Sequence, residues 1–419
     1  MSPLDLASIR ARFPALARTL DGRPCAFVDA PGGSQVPEAV IDAMTAYLRT
    51  SNANTHGAFV TSAETDRVID EAHRAAADLL GCDPDEAVFG PNATTLLFAV
   101  SRSVGRTLSR GDEVVVTKLD HDANVRPWIL AAEDAGATVR WVDIRDDDVT
   151  LDLDSFDAAL SDRTRLVAFT LASNAVGTIP PAAELVRRVH DVGALAAVDG
   201  VHMAQHRALD LHALGADILA CSPYKFFGPH LGVLAVRREL LETWTPYKLR
   251  PAPDEAPERW ETGTQNHEGL AGMTAAVDYL AGLGRTFGVP AGGARRDEIV
   301  ACFDAIGDHE RVLSTRFLQG AGELPQLRLW GVADPARLQE RTPTFAVRLG
   351  DQDPLKTASE LARRGIYVWD GHYYAITVME RLGLLDTGGA VRIGFCHYHS
   401  TDDVDRVLGA LAEIAPTTA

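Results

Sequence analysis

The hydrophobic pattern along the middle of the chain switches repeatedly between two periods. Short apolar, β-branched runs read as strands: "EVVVT" (113–117), "ATVRWVD" (137–143), "RLVAFTL" (165–171), "ALAAVD" (194–199), "DILACS" (217–222) and "GVLAVR" (232–237). Between them lie segments of helical period such as "VRPWILAAEDAG" and "AAELVRRVHDVG", each closed by a glycine suited to the left-handed residue that ends a helix. Strand and helix in alternation predict an α/β fold, a mostly parallel sheet with helices on both faces, whose functional residues sit at the carboxyl ends of the strands. The alternation begins at "RPCAFVDAPGG" and predicts a large domain over 26–287. The Gly-rich "FGVPAGGARRDE" (287–298) reads as a linker into a smaller α+β domain, 288–419. That part carries a long helical pattern, the strand-like "PTFAVRL" (343–349), the helix "DPLKTASELARRG" and the closing "AVRIGF" and "TDDVDRVLGALAEI", and the N-terminal segment 1–25 is expected to join it.

Composition narrows the class. With 419 residues, 46% of them hydrophobic, the chain is long enough for two cores. A formal net charge of −18 argues against nucleic acid or an anionic membrane surface as partner. The chain lacks a run of 18 apolar residues, and its N-terminus mixes arginines with single apolar positions, so a soluble, cytoplasmic protein is expected. Five scattered cysteines, at 25, 82, 221, 302 and 396, form no CxxC pair, which fits a reducing compartment and neither a disulfide framework nor a zinc site.

The stretch "ACSPYKFFGPH" (220–230) sets Lys225 among apolar and small residues. A buried ammonium either lowers its pKa or is consumed in a bond, and a Schiff base is such a bond. Asp199 ends the apolar run "AAVD" one helix and one strand earlier, so both side chains can reach one pocket from neighbouring strands. A pyridoxal phosphate site needs that pair: an amine for the aldehyde and a carboxylate to keep the pyridinium nitrogen protonated as an electron sink. In "GPNATTLLFAV", small and polar residues open an apolar helix, a place for a phosphate. In "LDHDANVRPW", His121 offers a flat imidazole. Each has an ordinary structural reading as well: turn or cap aspartate, plain N-cap, surface or core histidine.

Together these segments resemble the class V aminotransferase superfamily, of fold type I, and most closely its cysteine desulfurase branch. The likeness runs through "FVDAPGGSQVPEAVIDAM", "NATT", "DHDANVRPW", "TLASNAVGT", "VDGVHMAQHRALDLHALGADILACSPYKFFGP", "WETGTQNHEG", "GHYYA" and "VRIGFCHYHSTDDVDRV". The resemblance implies that Lys225 holds the cofactor as an imine and later moves protons. By the same match Asp199 pairs with the pyridinium, His121 stacks on the ring, and Ala93, Thr94 and Ser222 take the phosphate. Asn174 matches a residue near the ring oxygen and substrate, and Arg392 one that grips the substrate α-carboxylate. Thr264 matches a residue that reaches the phosphate of a neighbouring subunit, which implies a homodimer with shared sites.

Several positions depart from the pattern. His202 stands where a glutamine is usual, able to hydrogen-bond the cofactor's phenolic oxygen and also to titrate. Tyr224 replaces a common histidine, so one phosphate contact passes to a phenol. Trp369 and Asp370 replace residues that are usually basic and polar, which reshapes the distal pocket. The loop resembling the one that carries the catalytic cysteine reads "WDGHYYA", with Tyr374 in its place. A desulfurase carries sulfur as a persulfide, which a phenol cannot form. Cys396, expected on a strand past Arg392, and Cys221, expected buried behind the cofactor, are poor replacements.

What the resemblance then implies is a pyridoxal-phosphate enzyme that removes the α-proton of an amino acid and releases a β-sulfur group, a C–S lyase without its own persulfide. An amino-acid epimerase or racemase, a class V aminotransferase and a non-catalytic pyridoxal-phosphate-binding homologue are the alternatives. His372, Tyr373 and Tyr374 are candidate acids or pocket walls. No metal is expected: the pairs His202/His206 and His397/His399 lack clustered carboxylates. A nicotinamide cofactor is disfavoured, since no GxGxxG follows an early strand.

Overall fold

The computed structural model describes residues 4–286 and 293–416. Seven strands form the principal sheet: β1 (Ala87–Gly90), β2 (Glu113–Thr117), β3 (Thr138–Val142), β4 (Thr164–Thr170), β5 (Leu195–Asp199), β6 (Ile218–Cys221) and β7 (Gly232–Val236). Their order is β1-β7-β6-β5-β4-β2-β3, and β7 alone runs against its neighbours. The six strands read from the sequence are present with their ends displaced by at most one residue. β1 was not anticipated; its four residues are too few to show a period.

The central strands are buried on both faces, which is why their sequences are continuous apolar runs rather than alternating ones. The helix Arg126–Ala135 stops at Gly136, whose φ of +69° is the left-handed cap. The helix Ala182–Asp191 is capped by Val192, and the left-handed glycine, Gly193, comes one residue later than the pattern indicated. Gly232 opens β7 hard against the 92–93 turn: a Cβ there would lie 2.2 Å from the carbonyl carbon of Asn92.

The second half of the expected linker is not a linker. Residues 287–292 lie outside the described residues, and Arg295 begins the helix Arg295–Gly322. Asp297 and Glu298 sit in its first turn, where carboxylates favour the helix dipole. Arg295 anchors the start through Asp78 (2.6 Å), Glu71 (2.8 Å) and Asp278 (3.1 Å). Beyond it an antiparallel sheet runs β8-β9-β11-β10, from β8 (Leu327–Trp330), β9 (Thr344–Leu349), β10 (Trp369–Gly371) and β11 (Ala390–Gly394). Phe317, Phe345 and Phe395 form its aromatic core, the first two stacked at 4.0 Å between centroids.

The N-terminal segment ties the two sheets together. Arg10 donates to the Tyr398 carbonyl and pairs with Asp403, both at 2.9 Å, while Phe13 packs on Phe227, Tyr279 and Tyr398. Ala26–Phe27, grouped with the large domain in the sequence, pairs in parallel with Ile366–Tyr367. Among the described residues no helix is long and apolar enough to cross a membrane.

Candidate active site

A cavity of 760 Å³ opens at the carboxyl ends of β4, β5 and β6, where the parallel sheet meets the antiparallel one. It is lined by Ala93, Thr94, His121, Asn174, Asp199, His202, Ser222, Tyr224 and Lys225 from the first sheet's side. Trp369, Asp370, His372, Tyr373, Tyr374 and Arg392 close it from the other. Every site residue singled out in the sequence lines this one cavity except Thr264, which is exposed on the loop before the helix His267–Thr286.

The floor is built from strand ends. After β6, Ser222 and Pro223 turn the chain into one 3-10 turn, Pro223–Lys225, and the buried rings of Phe226 and Phe227 hold it in the core. Lys225 is only 7% exposed; its Nζ donates to the Pro31 carbonyl and lies 4.7 Å from the Tyr224 ring centre. Burial, and then the Arg392 charge, lower its pKa to about 7 against the opposing pull of Asp199 and Asp29. Asp199, the last residue of β5, accepts one bond from the Val201 N–H at 2.8 Å, and burial raises its pKa to about 6. A buried carboxylate with a single neutral donor calls for a cationic N–H, which a pyridinium supplies.

His121 follows β2 on a turn that its own ring stabilises: Nδ1 accepts from the Ala123 N–H at 3.0 Å, so in the neutral ring Nε2 carries the hydrogen. Burial and the nearby Lys225 and Arg392 charges push its pKa down to about 3, so the ring is neutral. Ala93 and Thr94 begin the helix Ala93–Gly105, and their N–H groups have no intrahelical acceptor. Asn92 caps this helix by accepting from the Thr95 N–H at 2.8 Å.

The roof is strained. Tyr373 and Tyr374 have φ of +53° and +57°, a left-handed conformation costing non-glycine residues about 1–3 kcal/mol each. Bonds hold it there: Asn174 Nδ2 donates to the Tyr373 carbonyl at 2.9 Å, the Asp122 N–H donates to the Tyr374 carbonyl at 2.7 Å, and the Tyr373 hydroxyl donates to the Ala390 carbonyl. Tyr373 is buried with the Arg392 guanidinium 4.6 Å above its ring, whereas Tyr374 is 67% exposed at the mouth, stacked on His121 at 5.5 Å. His372 is exposed, its Nδ1 accepting from the Tyr374 N–H at 3.1 Å.

Arg392, on β11, is buried, donates from Nη1 to the Asn174 carbonyl at 3.0 Å, and keeps Nε unpartnered; Asn174 Oδ1 is likewise unpartnered. His202 turns Nε2 toward the hydroxyls of Thr342 (3.2 Å) and Thr344 (3.1 Å), leaving Nδ1 buried and unpartnered. Burial holds its pKa well below the usual histidine range, so of the two behaviours expected of it titration near neutral pH is the one the surroundings oppose.

Sequence reasoning missed Asp29, whose Oδ1 is buried without a partner near Lys225 and Arg392. The signal was there in "VDAPGG": a carboxylate before a tight turn, closed by the Gly32 N–H on the Asp29 carbonyl at 2.6 Å. Among the described residues no cysteine lines the cavity. Cys221 is buried within β6; Cys396, expected on a strand, lies two residues past the end of β11, buried beside His399. Burial raises the pKa of both thiols, away from the thiolate a nucleophile requires.

The chain has the fold of the fold type I pyridoxal-phosphate enzymes and belongs to the class-V aminotransferase family, whose model matches residues 26–287 and 299–407. Within it the chain is cysteine desulfurase-like. It is 32% identical to a cysteine desulfurase of Dickeya dadantii, over 98% of this chain and 97% of that protein. A probable cysteine desulfurase of Streptomyces coelicolor is also 32% identical, over 98% of this chain and 97% of that one. The solved apo structure of a cysteine desulfurase from Thermococcus onnurineus superposes with a TM-score of 0.87 at 28% identity, covering 99% of both chains.

Proposed function

We propose that this chain binds pyridoxal phosphate through Lys225 and acts as a C–S lyase on a cysteine-type amino acid, releasing the sulfur as a free thiol and not as a protein persulfide. The observation that carries this reading is the composition of the cavity wall. Amine, carboxylate and guanidinium are all present, and Tyr374, not a thiol, stands at the mouth.

The unpartnered polar atoms around the cavity fit the cofactor and an amino acid. Asp199 would hold the ring nitrogen, Ala93, Thr94, Ser222 and Tyr224 the phosphate, His121 one ring face, and His202 Nδ1 the phenolic edge. The cofactor supplies an electron sink for the α-carbon. Arg392 binds the α-carboxylate through its planar fork, pre-aimed by the Asn174 carbonyl and the Tyr373 ring. That places the α-carbon near Lys225, whose neutral amine takes the α-proton at Nζ. The β C–S bond then breaks with its electron pair leaving on sulfur, a proton completes the thiol, and hydrolysis of the remaining fragment yields a keto acid and ammonium. The neutral His121 Nε2–H and the Tyr374 hydroxyl are candidate donors of that proton. Thr264, exposed and outside this cavity, is free to reach a second copy's site, which supports a homodimer.

The test is a product assay. Incubation with S-substituted cysteines should give equimolar pyruvate and thiol with no sulfur on the protein. Proton exchange at the α-carbon without keto acid would support the epimerase reading instead, and amino-group transfer to an added keto acid would support the aminotransferase one.

A further inference from the structure

His202 lines the cavity, yet its Nε2 is directed to two threonine hydroxyls that are no part of the lining and that the reaction above does not use. His202 follows β5, while Thr342 and Thr344 belong to the segment that enters β9, so the contact joins the two sheets. The threonines are buried and flank Pro343 in a tight turn, closed by the Thr344 N–H on the Thr342 carbonyl at 2.8 Å. Arg341 pins that turn: its buried guanidinium donates to the carbonyls of Thr342 (3.2 Å), Thr344 (2.6 Å) and Val332. Gly177, at φ +79°, comes so close that a Cβ there would lie 2.5 Å from the Thr344 carbonyl oxygen, and its own carbonyl accepts from the Thr342 N–H at 2.9 Å.

The hydroxyl hydrogens decide which nitrogen of His202 is the donor. The Thr342 hydroxyl has an acceptor of its own, the Gly177 carbonyl at 3.4 Å. Among the described residues the Thr344 hydroxyl has none but His202 Nε2, at 3.1 Å. Were Nε2 protonated, that buried hydroxyl hydrogen would be left without an acceptor, which a dry interior penalises. Nε2 therefore accepts, and in the neutral ring Nδ1 holds the hydrogen. Among the described residues no carboxylate bonds either nitrogen to favour the doubly protonated ring: Glu310 takes Nδ1 of His206 at 2.9 Å, and the His206 ring meets His202 edge-on at 5.0 Å between centroids. We propose that Thr344 is a positioning residue that locks His202 in its Nδ1–H form, so that this wall of the cavity offers a donor and selects an anionic oxygen. The inference rests on the reading of the cavity as a pyridoxal phosphate site, whose deprotonated phenolic oxygen would be that anion.

The experiment is nitrogen-15 NMR of histidine-labelled full-length chain without cofactor at neutral pH, for wild type, Thr344→Val and Thr344→Ser, with His202→Gln to identify the His202 signals. Wild-type His202 should carry hydrogen on Nδ1 alone. Thr344→Val, which keeps the shape and loses the hydroxyl, should admit the Nε2–H form, whose hydrogen can go to the Thr342 oxygen; Thr344→Ser should keep the wild-type pattern. In a titration with pyridoxal phosphate followed by absorbance, Thr344→Val should bind about tenfold more weakly, the worth of one hydrogen bond to a charged oxygen, and Thr344→Ser should match wild type. Hydrogen on Nε2 or on both nitrogens in the wild type, Nδ1–H unchanged in Thr344→Val, or equal cofactor binding by wild type and Thr344→Val overturns the proposal. Because the ring is read without cofactor, a chain that never takes up pyridoxal phosphate defeats the function reading and leaves the placement of the His202 hydrogen standing.

Discussion

The floor and the roof of the cavity are made in opposite ways. The floor, from Asp199 to Lys225, is strand end and turn, with one left-handed residue, Phe227 (φ +71°), just beyond it, and its chemistry comes from burial, which moves the lysine down to about 7 and the aspartate up to about 6. The roof, from Trp369 to Tyr374, is exposed at both ends, and Trp369 and Tyr374 are 54% and 67% in contact with solvent. Its shape comes from two left-handed tyrosines held by three hydrogen bonds. On the proposed reading, the packed floor supplies the amine and carboxylate, and the strained, open roof is where the outcome of the reaction is set.

Substitutions separate the two regions, and the largest effect belongs to the floor. Lys225→Ala should abolish the visible band of the cofactor-loaded protein and lower turnover by about 10²–10⁴-fold, the usual span for loss of a general base, as measured by steady-state kinetics. Arg392→Lys, which keeps charge but loses the bidentate fork, should cost about 1.5–3 kcal/mol of substrate binding, read as a rise in KM larger than the fall in kcat. The pH profile of kcat should climb to a plateau through about 7, because the free amine of Lys225 is the base and protonation below that value removes it. Tyr374→Ala, at an exposed position, should change unfolding free energy by no more than about 0.5 kcal/mol, while shifting the ratio of elimination to proton exchange.

The difference between the regions also explains what could be read in the sequence. The six strands and the mostly parallel character of their sheet were legible because burial on both faces writes continuous apolar runs, although nothing in those runs marked β7 as the antiparallel one, and Lys225 and Asp199 stand out as charges at or just past the ends of such runs. Asp29 was not singled out, since it lies in a short turn and the charges that face it, Arg392 and Lys225, come from distant parts of the chain. The left-handed tyrosines gave no sequence signal either: their conformation depends on Asn174, Asp122 and Ala390, which no local pattern connects to "HYY". The expected linker failed at Arg295 for a similar reason. Its salt bridges to Asp78, Glu71 and Asp278 stabilise a helix start that the neighbouring glycines obscured.

The proposed function stands or falls on Lys225 as the residue that bonds the cofactor. Borohydride reduction of the protein incubated with pyridoxal phosphate, followed by peptide mass spectrometry, tests this directly. A single pyridoxyl adduct is expected on Lys225, with none in Lys225→Ala; an unmodified Lys225 peptide, or an adduct confined to another lysine such as Lys118 or Lys248, would contradict it.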